Sequence, residues 1–466
     1  MLGGSIDLSA ATCVHEPARS ARPWVGGPNT AGVVAVVGAG KMGLPLAGQF
    51  SSHGWSVIAV DVQRDVVDSI NAGHTHVDEP GLAELVATAH DQGRLRAMLD
   101  AAAAAREADV VVLIVPVMLD DDGRPDYRYM DAAVDSVIPG LHSGSLVIFE
   151  TTLPVGDTRE RFGPRLANGT GLEIEQNLFV AFSPERLYSG AALRNLSTYP
   201  KLVGGVGPRS GDLAAAFYAS VLDTEVVEMS SAEAAEFSKL ADTTYRDVNI
   251  ALANEFARYA DRTGVDILEV IDAANSQPYS HIHQPGIGVG GHCIPVYPRF
   301  LLARAPEMEL VAVSRRINDG QVELAVDALR EHLGPLDGVT VLVLGLTYRH
   351  GVKELAYSRA VPLVRRLRDH GAKVVAYDPL LSREETERLG ANAWFWGDAD
   401  AGHAVRAIVT QTGDPRWAEL DWAWFPQLEL LYDGRNSLSS RAVPPRISHV
   451  GVGVQRVTDD LAAEIP

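Results

Sequence analysis

The sequence predicts an α/β protein in which two doubly wound units flank a central helical segment. Continuous apolar runs alternate with helical patterns twice, first around Val33–Val37 and again around Val339–Gly345. Such runs are typical of parallel strands buried on both faces. Between the two units, helical periodicity continues from Ser230 to Gly264. The chain has 466 residues, which allows about three domains of roughly 150 residues each.

Composition limits the functional classes. Hydrophobic residues make up 46% and charged residues 21% of the chain, as in ordinary globular proteins. The net charge of -20 argues against a nucleic-acid or anionic-membrane partner, and no apolar stretch is long enough to span a bilayer. Residues 1–30 lack a signal-peptide pattern and are expected to form a flexible tail. The two cysteines, Cys13 and Cys293, provide no disulfide framework, which favours a cytoplasmic location.

The first unit begins with a dinucleotide fingerprint. The strand Val33–Val37 runs into a loop that reads Gly38-Ala39-Gly40-Lys41-Met42-Gly43. A helical pattern and a second strand, Ser56–Val60, follow, and Asp61 lies 18 residues after Gly43. Glycines permit a tight turn and let a pyrophosphate approach a helix N-terminus. Because Asp61 would accept hydrogen bonds from the adenosine ribose and repel a 2′-phosphate, the predicted cofactor is NAD.

Three further strands complete the predicted first sheet, namely Val110–Val115, Leu146–Phe149 and Phe179–Phe182. We expect residues 31–228 to form a Rossmann-type, NAD-binding domain. Ligands bind beyond the carboxyl ends of such strands. Three loops therefore become candidates for the site: Pro116, Thr151-Thr152-Leu153-Pro154, and Ser183-Pro184-Glu185-Arg186.

The central segment, residues 229–322, is expected to be a helical domain built on one long spine. Ser230 and Glu233 have the spacing of a capping box, and Gly264 is a suitable terminator. At about 1.5 Å per residue this helix is longer than one domain needs. Lys239 and Thr243 lie one turn apart on one face. We predict a homodimer, because one stripe of the helix is apolar: Ala234, Phe237, Ala241, Val248, Leu252 and Phe256.

The last segment, residues 323–466, is predicted to be a second Rossmann-like domain. Its first strand is followed by a helix around Pro362–His370 and a strand at Lys373–Tyr377, but G-x-G-x-x-G is absent. Instead the loop Thr347–Lys353 carries Tyr348 and Arg349. These side chains suit a phosphate-bearing ligand with a base to stack, and a solvated basic loop is an equal alternative.

The most informative segment is Gly286–Pro295, in which Cys293 follows a series of glycines. A lone thiol at the rim of such a loop indicates covalent redox chemistry, and the alternative is a buried free cysteine. His281, His283 and His292 lie nearby, but their spacing matches no common zinc pattern and a metal on Cys293 would block the thiol. We therefore predict no metal and expect histidines to contact sugar or pyrophosphate.

These landmarks, in this order, resemble the nucleotide-sugar 6-dehydrogenases, the family of UDP-glucose, UDP-N-acetylmannosamine and GDP-mannose dehydrogenases. The resemblance covers about residues 31–440. Its most specific pieces are Ser183-Pro184-Glu185-Arg186, Lys239-Leu240, Thr244–Ala251 with Asn254-Glu255, Gly288–Pro295, and Asp433-Gly434-Arg435-Asn436. The Ser-Pro-Glu-Arg form and Arg246-Asp247-Val248-Asn249 look most like the N-acetylhexosamine branch.

The resemblance implies that C6 of a nucleotide-linked sugar is oxidised twice, to the carboxylate, while two NAD are reduced. Cys293 would be the nucleophile, Lys239 the oxyanion stabiliser or proton carrier, and Glu185 the carboxylate acting on the hydrolytic water. Thr152 and Thr243 would position water and substrate. The cofactor would contact Gly38, Gly40, Lys41, Met42, Gly43, Asp61, Pro116 and Thr152. The substrate would contact Ser183, Glu185, Arg186, Lys239, Arg246, His281, His283, Gly288, Gly290, Gly291, Tyr348, Arg349 and Arg435.

Three positions depart from the common pattern of that family. Thr243 replaces an asparagine, Tyr297 replaces an aspartate, and the segment Tyr279–His283 lacks an arginine. Tyrosine cannot act as a base near neutral pH, so these departures affect the hydrolytic step and the sugar identity more than the hydride transfer. Two alternatives follow, namely an oxidation that stops at the aldehyde and a non-catalytic nucleotide-sugar-binding homologue. The β-hydroxyacid dehydrogenases share the first domain, but Cys293 and the second α/β unit argue against them.

Overall fold

The structure is a computed structural model that describes residues 32–188 and 190–455. It is an α/β protein with two separate parallel sheets and a helical segment between them, as predicted. The predicted tail of residues 1–30, with Cys13, lies outside the described residues.

The first sheet has eight strands in the order β10-β9-β8-β7-β4-β1-β2-β3. The strands up to residue 228 are β1 (Val33–Val37), β2 (Ser56–Val60), β3 (Leu95–Met98), β4 (Val110–Leu113), β5 (Met118–Leu119), β6 (Pro125–Asp126), β7 (Leu146–Phe149), β8 (Phe179–Phe182), β9 (Lys201–Gly205) and β10 (Val226–Glu228). All pairs in this sheet are parallel except β8 with β9, and β5 and β6 form a separate antiparallel hairpin. The direction of winding reverses at β1, between β2 and β4.

Helices cover both faces of this sheet. They are α1 (Gly43–Ser52), α2 (Arg64–Asn71), α3 (Leu82–Asp91), α4 (Ala101–Glu107), α5 (Arg128–Val137), α6 (Gly163–Thr170), α7 (Ala192–Thr198) and α8 (Pro208–Val221), with a π-helical stretch at Thr158–Phe162. Side chains of β1 alternate between two cores, since Val34 and Val36 join one and Ala35 and Val37 the other. This double burial explains the continuous apolar run.

The central segment is dominated by a 32-residue helix, α9 (Ala232–Thr263). It is followed by α10 (Ile267–Asn275), α11 (Tyr297–Arg304), α12 (Glu309–Asp319) and α13 (Gln321–Leu333). Gly264 ends α9 with φ of 72°, as predicted. The predicted cap was wrong by one residue, because the Ser231 hydroxyl accepts the backbone N–H of Ala234. Glu233 instead pairs with Arg159.

The second sheet has seven strands in the order β13-β12-β11-β14-β15-β16-β17. They are β11 (Thr340–Leu344), β12 (Lys373–Tyr377), β13 (Asn392–Ala393), β14 (Val405–Thr410), β15 (Leu430–Asp433), β16 (Ser448–Gly451) and β17 (Val454–Gln455), accompanied by α14 (Ala360–Asp369), α15 (Arg383–Arg388) and α16 (Ala399–Gly402). All pairs except β16 with β17 are parallel. Within residues 32–188 and 190–455, no helix has the length and apolar character that a membrane span requires.

Candidate active site

The loop between β1 and α1 forms a cradle open on one side. A Cβ added at Gly38, whose φ is 103°, would lie 2.8 Å from the Ile114 carbonyl oxygen. A Cβ at Gly43 would lie 1.8 Å from the Gly38 carbonyl oxygen. Gly40 is exposed, and a Cβ there would meet no atom within 4 Å. The outer glycines therefore allow the turn, and the middle one leaves space in front of the N-terminus of α1, where a dinucleotide pyrophosphate fits.

Asp61, directly after β2, is held against this loop. Its Oδ2 accepts the Ala39 N–H at 3.1 Å, and its Oδ1 accepts the Gln63 N–H at 2.9 Å. Both contacts are with the backbone, so the carboxylate keeps further lone pairs for ribose hydroxyls. The residues present thus fit an NAD molecule.

The loops after β4 and β7 are joined at the same edge of the sheet. The Thr151 hydroxyl donates to the Val115 carbonyl at 2.6 Å. Pro116 is exposed, whereas Thr152 is buried. The Thr152 hydroxyl lies beside the phenol of Tyr297, which connects the first sheet to the start of α11.

Tyr297 lies beside the half-buried free thiol of Cys293. Its N–H donates to the Cys293 carbonyl at 2.9 Å, and its phenol contacts the thiol. The Nζ atom of Lys239 lies 5.9 Å from the centroid of the Tyr297 ring. Lys239 is 9% exposed, so it is a buried cation and not a solvated one. Thr243 is buried as well, and its hydroxyl donates to the Lys239 carbonyl at 3.0 Å.

Burial and the adjacent Cys293 thiol raise the pKa of Tyr297 above its ordinary value. The phenol is therefore neutral across the physiological range and acts as a hydrogen-bonding group only.

The loop after β8 is fixed through its polar side chains. Glu185 Oε1 accepts the N–H groups of Arg186 at 2.6 Å and Leu187 at 3.1 Å. The Ser183 hydroxyl donates to the Leu202 carbonyl at 2.8 Å, and the Arg186 guanidinium donates to the Pro200 carbonyl. These bonds anchor the loop to the start of β9 and leave Glu185 Oε2 for other partners.

Two partners of Glu185 were missed by sequence reasoning. Lys201 Nζ lies 3.5 Å from Glu185 Oε2 and 3.0 Å from Glu150 Oε2. Glu150 is fully buried directly after β7. The sequence already contained a signal for Glu150, because a charged residue directly follows an otherwise apolar strand.

The glycine loop before Cys293 packs against the C-terminal unit. A Cβ at Gly290 would lie 2.8 Å from the Tyr357 carbonyl oxygen, and one at Gly291 would lie 3.1 Å from the Tyr348 ring. Gly288, with φ of 113°, faces Arg359 in the same way. The Gly291 N–H donates to the Ala356 carbonyl at 2.9 Å. Close packing against the C-terminal unit thus explains why these positions are glycines.

Basic side chains line the seam between this loop and the second sheet. The Arg435 Nε donates to the Gln411 carbonyl at 2.8 Å. Burial, together with the nearby Arg359, lowers the pKa of Arg435 to about 10, so both guanidinium groups stay charged at neutral pH. The Arg349 guanidinium lies 5.9 Å from the Tyr348 ring centroid. Arg349 and the Tyr348 ring, both predicted for an anionic ligand with a base, are therefore adjacent.

The segment around His281 and His283 packs on α9. Asn249 Nδ2 donates to the His281 carbonyl at 2.7 Å, and the His283 N–H donates to Asn249 Oδ1 at 2.8 Å. Burial and the charge of Arg246 lower the pKa of His283, which keeps its imidazole neutral near pH 7. Arg246 reaches the Tyr188 hydroxyl at 3.4 Å, so it lies beside the loop that carries Glu185.

One ion-pair group links the cofactor cradle to the thiol loop. Glu354 Oε2 lies 2.8 Å from Lys41 Nζ and 3.6 Å from His292 Nε2. The contacts with His292 and Lys41 hold the pKa of Glu354 well below its ordinary value, although burial opposes them. Glu354 was not predicted from the sequence. Met42, the neighbour of Lys41, is half-buried at the N-terminus of α1.

Within the described parts of the chain, no three His, Cys, Asp or Glu side chains are grouped so as to hold a metal ion. His281, His283, His292 and Cys293 do not form such a group among the described residues.

Comparison with known proteins identifies three matching family models. They are the NAD-binding domain (residues 33–222), the central domain (residues 233–320) and the UDP-binding domain (residues 342–440) of the UDP-glucose/GDP-mannose dehydrogenase family.

Individual relatives agree with this match. A UDP-N-acetyl-D-mannosamine dehydrogenase from Pyrococcus horikoshii is 33% identical over 88% of this chain and 97% of its own length. An NDP-N-acetyl-D-galactosaminuronic acid dehydrogenase from Ralstonia nicotianae is 35% identical over 72% of this chain and 79% of its own. The solved structure of a UDP-D-ManNAc dehydrogenase from Pyrococcus horikoshii superimposes with a TM-score of 0.83 at 32% identity, covering 91% of this chain and 100% of that one.

Proposed function

The chain belongs to the UDP-glucose/GDP-mannose dehydrogenase family and is an NAD-dependent dehydrogenase of nucleotide sugars. On that premise we propose that it oxidises C6 of a UDP-sugar to the uronic acid in two steps, with a UDP-N-acetylhexosamine or UDP-glucose as substrate. The observation that carries this proposal is the free thiol of Cys293 in contact with Tyr297, whose ring centroid lies 5.9 Å from Nζ of the buried Lys239. The names of the relatives support the N-acetylhexosamine.

We propose that the thiolate of Cys293 adds to the C6 aldehyde carbon and gives a thiohemiacetal. Loss of hydride from that carbon gives a thioester, and attack by water then releases the carboxylate and restores the thiol. Lys239 stabilises the oxyanion in both additions. Glu185 accepts the proton of the attacking water, and Thr152 and Thr243 position water and sugar. Bound NAD supplies the hydride acceptor.

The cofactor is assigned to the cradle and the adjacent loop ends. Gly38, Gly40, Lys41, Met42 and Gly43 would hold the pyrophosphate, Asp61 would accept hydrogen bonds from the ribose, and Pro116 and Thr152 would contact the rest of the cofactor. The nucleotide sugar is assigned to the remaining polar groups, which are Ser183, Glu185, Arg186, Lys239, Arg246, His281, His283, Gly288, Gly290, Gly291, Tyr348, Arg349 and Arg435. The corresponding domains are residues 31–228 for NAD, 229–322 for dimerisation and 323–466 for the nucleotide sugar.

We propose a homodimer joined through α9. The apolar stripe predicted on this helix includes Phe237, Leu252 and Phe256, which are 48%, 42% and 39% exposed. Tyr245 and Tyr259 extend the same side and are exposed as well. An apolar face of this length on one helix is suited to a second copy of itself.

A nucleophilic thiol also requires a reducing compartment, and we propose that the protein is located in the cytoplasm.

One observation favours a second candidate, an oxidation that stops at the aldehyde. The position four residues after Cys293 holds Tyr297, whose raised pKa excludes it as a base. Incubation with NAD and a panel of UDP- and GDP-sugars distinguishes the candidates, because the proposed function releases two NADH per sugar and the aldehyde-only reaction releases one. If no sugar in the panel reduces NAD, the catalytic proposal is wrong.

A further inference from the structure

A buried cluster of charged groups lies behind Glu185, and the reaction proposed above does not use it. It consists of Glu150 after β7, Lys201 at the start of β9 and Tyr218 on α8. The side chains of Glu150 and Lys201 are 0% and 7% exposed. The Tyr218 hydroxyl donates to Glu150 Oε1, and Lys201 Nζ lies 4.7 Å from the Tyr218 ring centroid.

The two carboxyl groups of this cluster share one cation. Lys201 Nζ is 3.0 Å from Glu150 Oε2 and 3.5 Å from Glu185 Oε2, and the two carboxyl groups are close enough for each to affect the pKa of the other. Two ionised carboxylates held by the same cation repel each other, and a proton on one of them removes this repulsion and allows a hydrogen bond between them. A single buried lysine cannot neutralise two carboxylates, so the charge balance also favours one shared proton.

The surroundings decide which carboxyl group holds the proton. Glu185 accepts two backbone N–H bonds, from Arg186 and Leu187, and lies in the field of Lys239. Although burial acts to raise it, Lys201 and these donors hold the pKa of Glu185 below its ordinary value. Glu150 has no backbone donor in the described residues. Burial raises the pKa of Glu150 to about 8, against the effect of Lys201.

From this geometry we infer that Glu150 and Lys201 are positioning residues for Glu185. Glu150 keeps a proton and donates it in a hydrogen bond to Glu185, while Lys201 keeps Glu185 ionised and in place. The inference rests on the proposed function, because it provides the carboxylate that accepts the proton of the hydrolytic water. Glu185 is thus maintained as a base by two buried residues behind it.

The arrangement makes hydrolysis depend on pH through Glu150. The charged and titratable groups facing the pair are Lys201, Lys239 and Tyr218. Above pH 8 Glu150 ionises, the hydrogen bond to Glu185 is lost and two carboxylates repel each other. Hydrolysis therefore declines there. In Glu150→Gln the amide N–H donates at every pH, so the decline near pH 8 disappears.

The test follows hydrolysis of the acyl-enzyme in single turnovers. Excess enzyme is mixed with UDP-N-acetylmannosamine and NAD at pH 6 to 9.5, and intact mass after acid quench gives the fraction acylated on Cys293. We expect the wild-type hydrolysis rate to fall above pH 8 and the Glu150→Gln rate not to fall. Lys201→Met should slow hydrolysis at pH 7 by about a hundredfold, since Glu185 is then protonated. A wild-type decline retained in Glu150→Gln would overturn the inference.

The matched control is Glu236→Gln. Glu236 is also fully buried, and burial raises its pKa to about 7 against the hydrogen bonds from Thr158 and Gly156. Because Glu236 does not contact Glu185, this variant should keep the wild-type decline. If the decline in hydrolysis above pH 8 is lost in both variants, it depends on buried carboxyl groups in general, and the specific role of Glu150 is overturned.

A second measurement does not depend on turnover. The folded pKa of Glu150 lies above the ordinary unfolded value, so its contribution to stability is present at low pH and is lost as the pH rises to about 8. The unfolding temperature of wild type should therefore fall relative to Glu150→Gln between pH 5 and 8, and the difference should level off above. A constant difference would overturn the shared-proton assignment. If no acyl-enzyme forms in the single-turnover experiment, the proposed chemistry of Cys293 is wrong. The comparison of unfolding temperatures would then still decide whether Glu150 holds the proton.

Discussion

The loop after β1 offers a pair of substitutions that separate cofactor binding from folding. In Gly40→Ala the added methyl group meets no protein atom within 4 Å and projects into the space assigned to the pyrophosphate. In Gly43→Ala the same methyl group would lie 1.8 Å from the Gly38 carbonyl oxygen. The first variant should lose affinity for NAD while it stays folded, and the second should lose stability.

The magnitudes follow from these contacts. Gly40 is exposed and its φ is not in the left-handed range, so alanine should change the free energy of unfolding by less than about 1 kcal/mol. A displaced pyrophosphate loses at least one charge-assisted hydrogen bond, about 1.5–3 kcal/mol. That loss corresponds to roughly a tenfold to hundredfold rise in Kd for NAD. Relief of the clash in Gly43→Ala should cost about 1–3 kcal/mol of stability or more.

Calorimetric titration with NAD measures the affinity, and thermal unfolding without cofactor measures the stability of both variants. Wild-type affinity in Gly40→Ala would refute the placement of the pyrophosphate. Unfolding of Gly40→Ala comparable to that of Gly43→Ala would refute the distinction between an open glycine and a packed one.

Three further substitutions test the remaining assignments. Asp61→Ala should lower the preference for NAD over NADP, since the carboxylate that repels a 2′-phosphate is gone. Turnover rates with the two cofactors measure this preference, and an unchanged ratio of the two rates would contradict the assignment of Asp61 to the ribose. Cys293→Ser should stop after roughly one NADH per sugar or retain a covalent adduct, whereas carboxylate formation at the wild-type rate would exclude the thiol mechanism. Leu252→Glu should give monomers in sedimentation velocity, because it places a charge in the proposed interface. The control Val270→Glu, at a residue with the same 42% exposure, should stay dimeric. If both variants are dimers, α9 is not part of the interface.

Features that depend on neighbouring residues in the chain were determined by the sequence. The strands β1, β2, β7 and β8 appear at the predicted residues, because their apolar runs are short and bounded by loop residues. The cradle and Asp61 were equally predictable, since turn, helix start and acidic strand end belong to one βαβ unit. The helix cap at Ser231 differed by one residue, as expected where two adjacent serines can each serve as the cap.

Features that depend on which distant segments meet were decided by the tertiary structure alone. Lys201 pairs with Glu150 across 51 positions of sequence, and no local pattern relates a lysine that starts one strand to a glutamate that ends another. The glycines before Cys293 predicted that another group lies close to their backbone. Only the packing of Tyr348 against Gly291 showed that this group is part of the protein. The sequence alone shows that a position is occupied by a small or a charged residue, but not which other residue it contacts. The partner is fixed by burial, because only inside the fold does an unpaired charge or an added methyl group have a cost.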